Sequence, residues 1–455
     1  MRTLIHNIHT LVTCDKEDRV LSNSDLLIEN GVFTSVGIPC RPEEADEILD
    51  GSKWIIYPGL INTHHHLYQY FTRNLPEVQG LELFDWLRAL YDIWAFLNED
   101  TVRLSSLLGM GELMKYGCTT CMDHHYVFPE GCGDLTGAQF QAADMLGIRM
   151  HASRGSMSLS RKDGGLPPDS VVQTVDEILK DSERVIRMYH DPNLYSMHQV
   201  VLAPCSPFSV TADLMRKSAE LAREYGVRLH THLCETKDEE RFTIEALGMR
   251  PLAYMETVDF IGSDVFYAHG IHFEDRELDL LAQTKTGVSH NPCSNMKLSS
   301  GICRIPDMLE RGVPIGLAVD GSASNDASNL LEEIRTAYLL HRLIYGDRAP
   351  SGYEILKLAT RGSAELLGRE KDLGQIASGY GADFFAVRED RMELTGAKLD
   401  AANLLGTVGI HFPADAVFVA GRRTVENGKL VLVDEERLVR AGGLEVERLL
   451  NRKKL

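Results

Sequence analysis

With 455 residues, 44% of them hydrophobic, the chain can bury a large core and is long enough for one big domain plus an accessory one. Its 66 acidic against 47 basic side chains give a net charge of −19, which repels a phosphate backbone and argues against nucleic acid as a partner. Residues 1–6 carry no basic-then-apolar leader and no apolar run reaches about 18–20 residues, while nine cysteines, an odd number, suit reduced thiols better than a disulfide framework; a cytoplasmic protein without membrane association is expected.

Taken in chain order, Leu26-Leu27-Ile28-Glu29 and Val32-Phe33 flank Asn30-Gly31, a strong hairpin signal. Residues 54–66 read as the first of eight strands. From residue 99 a unit recurs: a helical stretch, a glycine at its end, then a short apolar strand finishing in polar residues. Examples are Gly117 leading to Asp123-His124-His125, Gly147 to His151, Gly226 to His232, Gly287 to His290 and Gly312 to Asp320. The glycine suits a left-handed helix stop, and the apolar run suits a parallel strand buried on both faces. Residues 200–206 and 264–269 complete the eight. Helices such as 211–225, capped by Thr211 with apolar Leu214, Ala219, Leu221 and Ala222, supply the crossovers. This is the pattern of an α/β protein with a (β/α)8 TIM barrel, whose chemistry sits at the carboxyl ends of the strands.

Near the other end, Arg423-Thr424-Val425-Glu426 and Lys429-Leu430 flank a second Asn-Gly pair, Asn427-Gly428. The two ends thus resemble each other. They are expected to form one small β-sandwich domain, with residues 1–56 as its first part, the barrel at 57–367 as an insertion, and 368–455 as its second part plus a charged surface helix over 435–455.

Four strand ends carry metal-binding or proton-transfer side chains: His64-His65-His66, His230-Thr231-His232-Leu233-Cys234-Glu235, His269 and Asp320. Side chains two apart on a strand share a face, so His64 and His66 present two imidazoles to one point while His65 turns away. His232 and Asp320 then complete a three-nitrogen, one-oxygen shell for a single divalent ion with room for water, which is the composition of a catalytic site. Zinc is the first expectation and iron the second. Such an ion lowers the pKa of bound water from about 15.7 toward about 7.

These residues, with Pro58-Gly59-Leu60-Ile61-Asn62-Thr63, Asp320-Gly321 and Gly374-Gln375-Ile376, resemble the amidohydrolase superfamily, in the branch of cytosine, guanine and S-adenosylhomocysteine deaminases and triazine hydrolases. The similarity spans nearly the whole chain. Longer segments, among them Ser153-Arg154-Gly155-Ser156-Met157-Ser158 and Asp320-Gly321-Ser322-Ala323-Ser324-Asn325-Asp326, are most similar to the subfamily that deaminates 8-oxoguanine. The resemblance assigns the same four ligands, makes Glu235 the proton shuttle and supports His269 as the electrostatic partner of the hydroxide or the tetrahedral intermediate. Asp320 is expected to ligate the metal and also take the water proton, with a purely ligating role as the simpler alternative. It implies conversion of 8-oxoguanine to urate and ammonia, with isoxanthopterin, guanine or an s-triazine as alternative substrates and a homo-oligomer as the assembly. The fourth strand has no lysine to bridge two metals, so a mononuclear site follows. One departure is Gly270, where a cysteine is expected.

For the ring edge, Gln69 and Arg154 are the expected substrate contacts. Trp86, His125, Tyr126 and Cys205 could line the ring plane, though packing is the favoured reading for them, and Asp238, Glu239 and Glu240 read as solvated carboxylates. A noncatalytic barrel scaffold is the competing class; such proteins lose ligands or the acid, whereas all are present here.

Overall fold

The computed structural model describes residues 2–452; residues 453–455 of the expected terminal helix lie outside the described residues. Eight parallel strands, Leu60–Asn62, Cys118–Asp123, Arg149–Ser156, His198–Pro204, Arg228–Leu233, Val265–His269, Gly287–His290 and Ile315–Leu317, pair in chain order. Helices such as Glu99–Lys115, Ala212–Tyr225 and Asp275–Thr284 form the crossovers. The strands are almost wholly buried, as a parallel sheet covered by helices must be.

The ring closes between its first and last strands. Thr63 donates from both its amide and its hydroxyl to the Leu317 carbonyl, and just beyond, His65–His66 pair in parallel with Asp320–Gly321. Barrel closure therefore places the histidine pair beside the aspartate. Three site residues leave their strands through left-handed backbone, Cys234 at φ 54°, His269 at φ 73° and Asp320 at φ 63°, a conformation that costs non-glycine residues roughly 1–2 kcal/mol each.

Helix stops follow the expected glycines at Gly147, Gly226 and Gly312, each in left-handed geometry. The helix before Gly287 differs: Lys285, at φ 59°, ends it, and Gly287 is already in the strand, where Leu366 packs against its backbone. Thr211 caps its helix through a bond from the Leu214 amide.

The second layer is a nine-stranded sheet drawn from both termini. Trp54–Pro58, expected as the start of the first barrel strand, belongs to this sheet instead, between Arg2–Val12 and Phe384–Arg388. Gly59 sits at the handover between the two sheets, where a side chain would lie 2.2 Å from Thr119 Oγ1. Both Asn-Gly pairs are left-handed at both residues and join antiparallel strands. The strands form one hydrogen-bonded sheet that folds over on itself. Phe33 and Phe384 sit four strands apart in the order, roughly 19 Å in a flat sheet, yet their rings are 6.0 Å apart. Among the described residues, no helix is long and apolar enough to cross a membrane.

Candidate active site

The histidines that converge at the carboxyl end of the barrel are fixed from behind. His66 Nδ1 and His232 Nδ1 lie 2.6 and 2.7 Å from the carbonyls of His124 and Cys205, so both nitrogens carry the proton and donate. His230 Nδ1 meets the Phe266 carbonyl at 2.9 Å, which leaves His230 Nε2 as an acceptor for His64 Nδ1 at 2.8 Å. Each of His64, His66 and His232 therefore points an Nε2 lone pair inward. Burial lowers the pKa of all three, that of His64 and His232 well below the usual value.

These lone pairs crowd together. His66 Nε2 and His232 Nε2 are 3.1 Å apart, and Asp320 Oδ1 lies 3.2 Å from His64 Nε2 and 3.4 Å from His66 Nε2. Neutral nitrogens facing one another and a carboxylate in a buried place repel unless a cation sits among them, so the donor set fits a divalent metal ion. His64 Nε2 is buried without a hydrogen-bond partner, as a ligand nitrogen would be. The potential donor atoms fall into two overlapping groups, His64 with His66, His124 and His232, and His64 with His269 and Asp320.

Asp320 is held on every side. Ser294 and Ser324 hydroxyls donate to Oδ2 at 2.5 and 3.2 Å, and the Gly321 amide donates to Oδ1 at 2.6 Å. His269 Nδ1 lies 2.8 Å from Asn295 Oδ1 and donates to it, which turns Nε2 toward Glu235 Oε2 at 3.5 Å and Asp320 Oδ2 at 3.9 Å. Burial works against a charged His269, yet the Glu235 and Asp320 carboxylates more than offset it and raise its pKa. Glu235 is 4% exposed, and burial pushes its carboxyl up to about 7.

A narrow cleft with about 30 Å³ of free volume opens on this cluster, well under the roughly 300–1,000 Å³ of ligand cavities. Its floor is His66, His232, Glu235, His269 and Asp320, and its walls include Leu83, Trp86, Leu87, Tyr126, Phe208 and Leu298. Gln69 lies at one side, its Oε1 accepting the Ala323 amide at 3.3 Å, so its amino group is left to donate. A wider hollow at the amino-terminal end of the barrel, lined by Lys16, Glu354, Arg361 and Glu370 among others, lies on the face that barrels use for stability.

A family model, the Amidohydrolase family, matches residues 55–428. The chain belongs to the amidohydrolase family. It is 42% identical over 440 residues, 96% of this chain and 97% of the relative, to an 8-oxoguanine deaminase of Pseudomonas aeruginosa. It is 40% identical over 454 residues, 96% of this chain and 94% of the relative, to a hydroxydechloroatrazine ethylaminohydrolase of Pseudomonas sp. strain ADP. Among solved structures, a zinc complex of an atrazine chlorohydrolase from Arthrobacter aurescens TC1 superposes with a TM-score of 0.94 at 32% identity, covering 98% of this chain and all of that one. The chain is a metal-dependent hydrolase acting on carbon–nitrogen bonds.

Within this amidohydrolase barrel, several side chains lie where the sequence reading did not put them. Arg154 does not line the cleft. It points into the helical layer, where it donates to Asp181 at 2.6 Å and Gln173 at 2.8 Å and stacks on Phe128. A charged residue at a strand end faces either the mouth or the helices, and here the strand's alternation turns it outward. Trp86, Tyr126 and Cys205, read as packing, line the cleft, whereas His125 is tied to the Val127 carbonyl. His65 turns away to Ser328, as expected. Glu239, read as solvated, is completely buried and takes the backbone amides of Cys234 and Glu235.

Four supporting residues went unassigned in the sequence: His124, stacked at 4.6 Å on His232; His230 behind His64; Asn295 behind His269; and Ser294 on Asp320. His230 had a signal, since it shares a strand face with His232 two residues on. Gly270, at φ 59°, has no room for the expected cysteine: its Cβ would meet Phe273 and Val288 at 2.9 Å.

Proposed function

We propose that this chain is a mononuclear aminohydrolase that replaces the exocyclic amino group of a fused purine-like ring with oxygen, converting 8-oxoguanine and water to urate and ammonia. The single observation that carries the reading is the meeting of three inward Nε2 lone pairs with the buried Glu235 carboxyl at the floor of an apolar cleft. His64, His66, His232 and Asp320 would hold the metal, zinc first and iron second, which when bound supplies an acidified water at neutral pH and a Lewis acid for the forming oxyanion.

Glu235 is poised near neutrality, so it serves both as base toward the attacking water and as acid toward the ring nitrogen beside the amidine carbon. His269, biased toward its cation by the two carboxylates, faces the charge that develops in the tetrahedral intermediate. Ser294, Ser324 and the Gly321 amide already occupy Asp320, so the structure favours a ligating Asp320 with the proton carried by Glu235. Leu83, Tyr126 and Phe208 give a flat ring apolar walls, and two donors would read its edge: the Gln69 amino group and the Trp86 indole N–H, which is buried and unpartnered. Trp86 takes the place that Arg154 was expected to fill.

The 42% likeness to an 8-oxoguanine deaminase over 96% of the chain supports this substrate. The 40% likeness to an ethylaminohydrolase of a triazine supports a second reading, removal of an amine from an s-triazine ring. Ammonia or amine release from 8-oxoguanine, guanine, isoxanthopterin and a hydroxylated alkylamino-triazine, run side by side, decides between them. Preference for the triazine would overturn the purine assignment and leave the chemistry standing. The odd count of nine cysteines and the acidic composition support a cytoplasmic enzyme, read here as a homo-oligomer acting on a small molecule.

A further inference from the structure

We propose that Glu239 is a positioning residue for Glu235: it holds the two backbone amides that aim the Glu235 carboxylate at His269, a role that rests on the reading of Glu235 as the proton-transfer group. Glu239 is the third residue of the helix Lys237–Leu247, whose cap is Thr236. The Glu239 amide donates to Thr236 Oγ1 at 3.3 Å, so half of a capping box is present. In a full box the third-residue glutamate would reach back to the cap residue's own amide. Here it reaches past the cap. Oε1 accepts the Cys234 amide at 3.0 Å and Oε2 accepts the Glu235 amide at 2.9 Å.

The surroundings show that this carboxylate serves the loop. Its neighbours Asp238 and Glu240 are partly exposed and pair with Arg241 and Arg250. Glu239 is 0% exposed and spends both oxygens on backbone. Burying a carboxyl is costly unless its hydrogen bonds are complete, and a helix cap can be made without one. The two amides it binds belong to the turn that carries Glu235 off its strand, at the left-handed Cys234. The other side of that turn is fixed as well: the Cys234 carbonyl accepts the amides of Ile271 at 2.9 Å and His272 at 3.0 Å, and the Leu233 carbonyl accepts that of Gly270 at 3.1 Å. Glu239 thus clamps one face of the turn while the segment after His269 clamps the other. Together they set the 3.5 Å approach of Glu235 to His269.

Glu239→Gln tests the clamp, because its amino group would face one of the two N–H donors and release it. In metal-loaded protein, hydrogen exchange at the Cys234 and Glu235 amides should rise about tenfold or more. Turnover should show kcat lowered by about 10–100-fold with KM nearly unchanged, and the pH limb of kcat should move. The double variant E235Q/E239Q should be no slower than E235Q alone. Unchanged exchange, a kcat within about twofold of wild type, or fully additive losses would each overturn the proposal. If E239Q does not fold, E239D keeps a carboxyl but falls one methylene short of both amides, and the same expectations apply. Exchange needs no substrate, so an enzyme inactive on every amine would refute the functional reading and leave the clamp measurable.

Discussion

Replacing Glu235 with glutamine removes a proton-transfer group while keeping its shape and its ability to donate a hydrogen bond. The carboxyl is 4% exposed, lies 3.5 Å from His269 Nε2, and is pushed up to about 7 by burial. At pH 7 its acid and base forms are therefore both well populated, the condition under which general acid–base catalysis is most effective. Losing such a group costs about 10²–10⁴ in rate, or roughly 3–5 kcal/mol of barrier. A dry, fixed site puts the expectation for E235Q in the upper half, a kcat drop of about 10³–10⁴ with little change in KM. The sign of the pH effect follows from the raised pKa. Below about 7 the carboxylate that accepts the water proton is lost, so wild-type kcat should fall on the acid side with a limb near 7. The variant's residual activity should lack that limb. Stopped-assay ammonia release across pH 5–9 makes the measurement, and a variant that keeps more than about a tenth of wild-type turnover, or keeps the limb, refutes the assignment.

Gln69→Leu should raise KM for the preferred ring by about tenfold or more while metal content stays at the wild-type level, measured by steady-state kinetics beside metal analysis. Arg154→Met should cost no more than about 2 kcal/mol of stability, because the Asp181 left behind is partly exposed and keeps its pair with Arg184, and should leave KM unchanged, read by denaturant melts and kinetics. Gly270→Cys should destabilise by about 1–3 kcal/mol and lower kcat, because the new side chain meets Phe273 and Val288 beside His269.

The strand ends were legible because their side chains alternate with a period of two, which sorted His64 and His66 from His65 without any coordinates. Barrel topology was legible from left-handed glycine stops before apolar runs. What escaped was direction and reach. Arg154 at a strand end carries no mark that says mouth or helix layer, and only its partner Asp181 settles it. Glu239 stood in a run of acids that reads as a wet surface, and its burial depends on how the helix docks against the strand-five turn. Trp86 enters the cleft from the helix Leu83–Trp94 between the first two barrel strands, a placement set by tertiary packing. Residues 54–58 run on into the barrel strand in sequence, and only their pairing with Arg2–Val12 and Phe384–Arg388 assigns them to the other sheet.

The proposed chemistry depends most on one cation shared by His64, His66, His232 and Asp320. Metal analysis of protein purified without added chelator should find about one zinc or iron per chain. The same analysis of H66A/H232A should find almost none, with a lowered melting temperature in wild-type protein stripped by chelator and recovery on adding zinc. Wild-type protein without bound metal, or a double variant that retains a full equivalent, would contradict it.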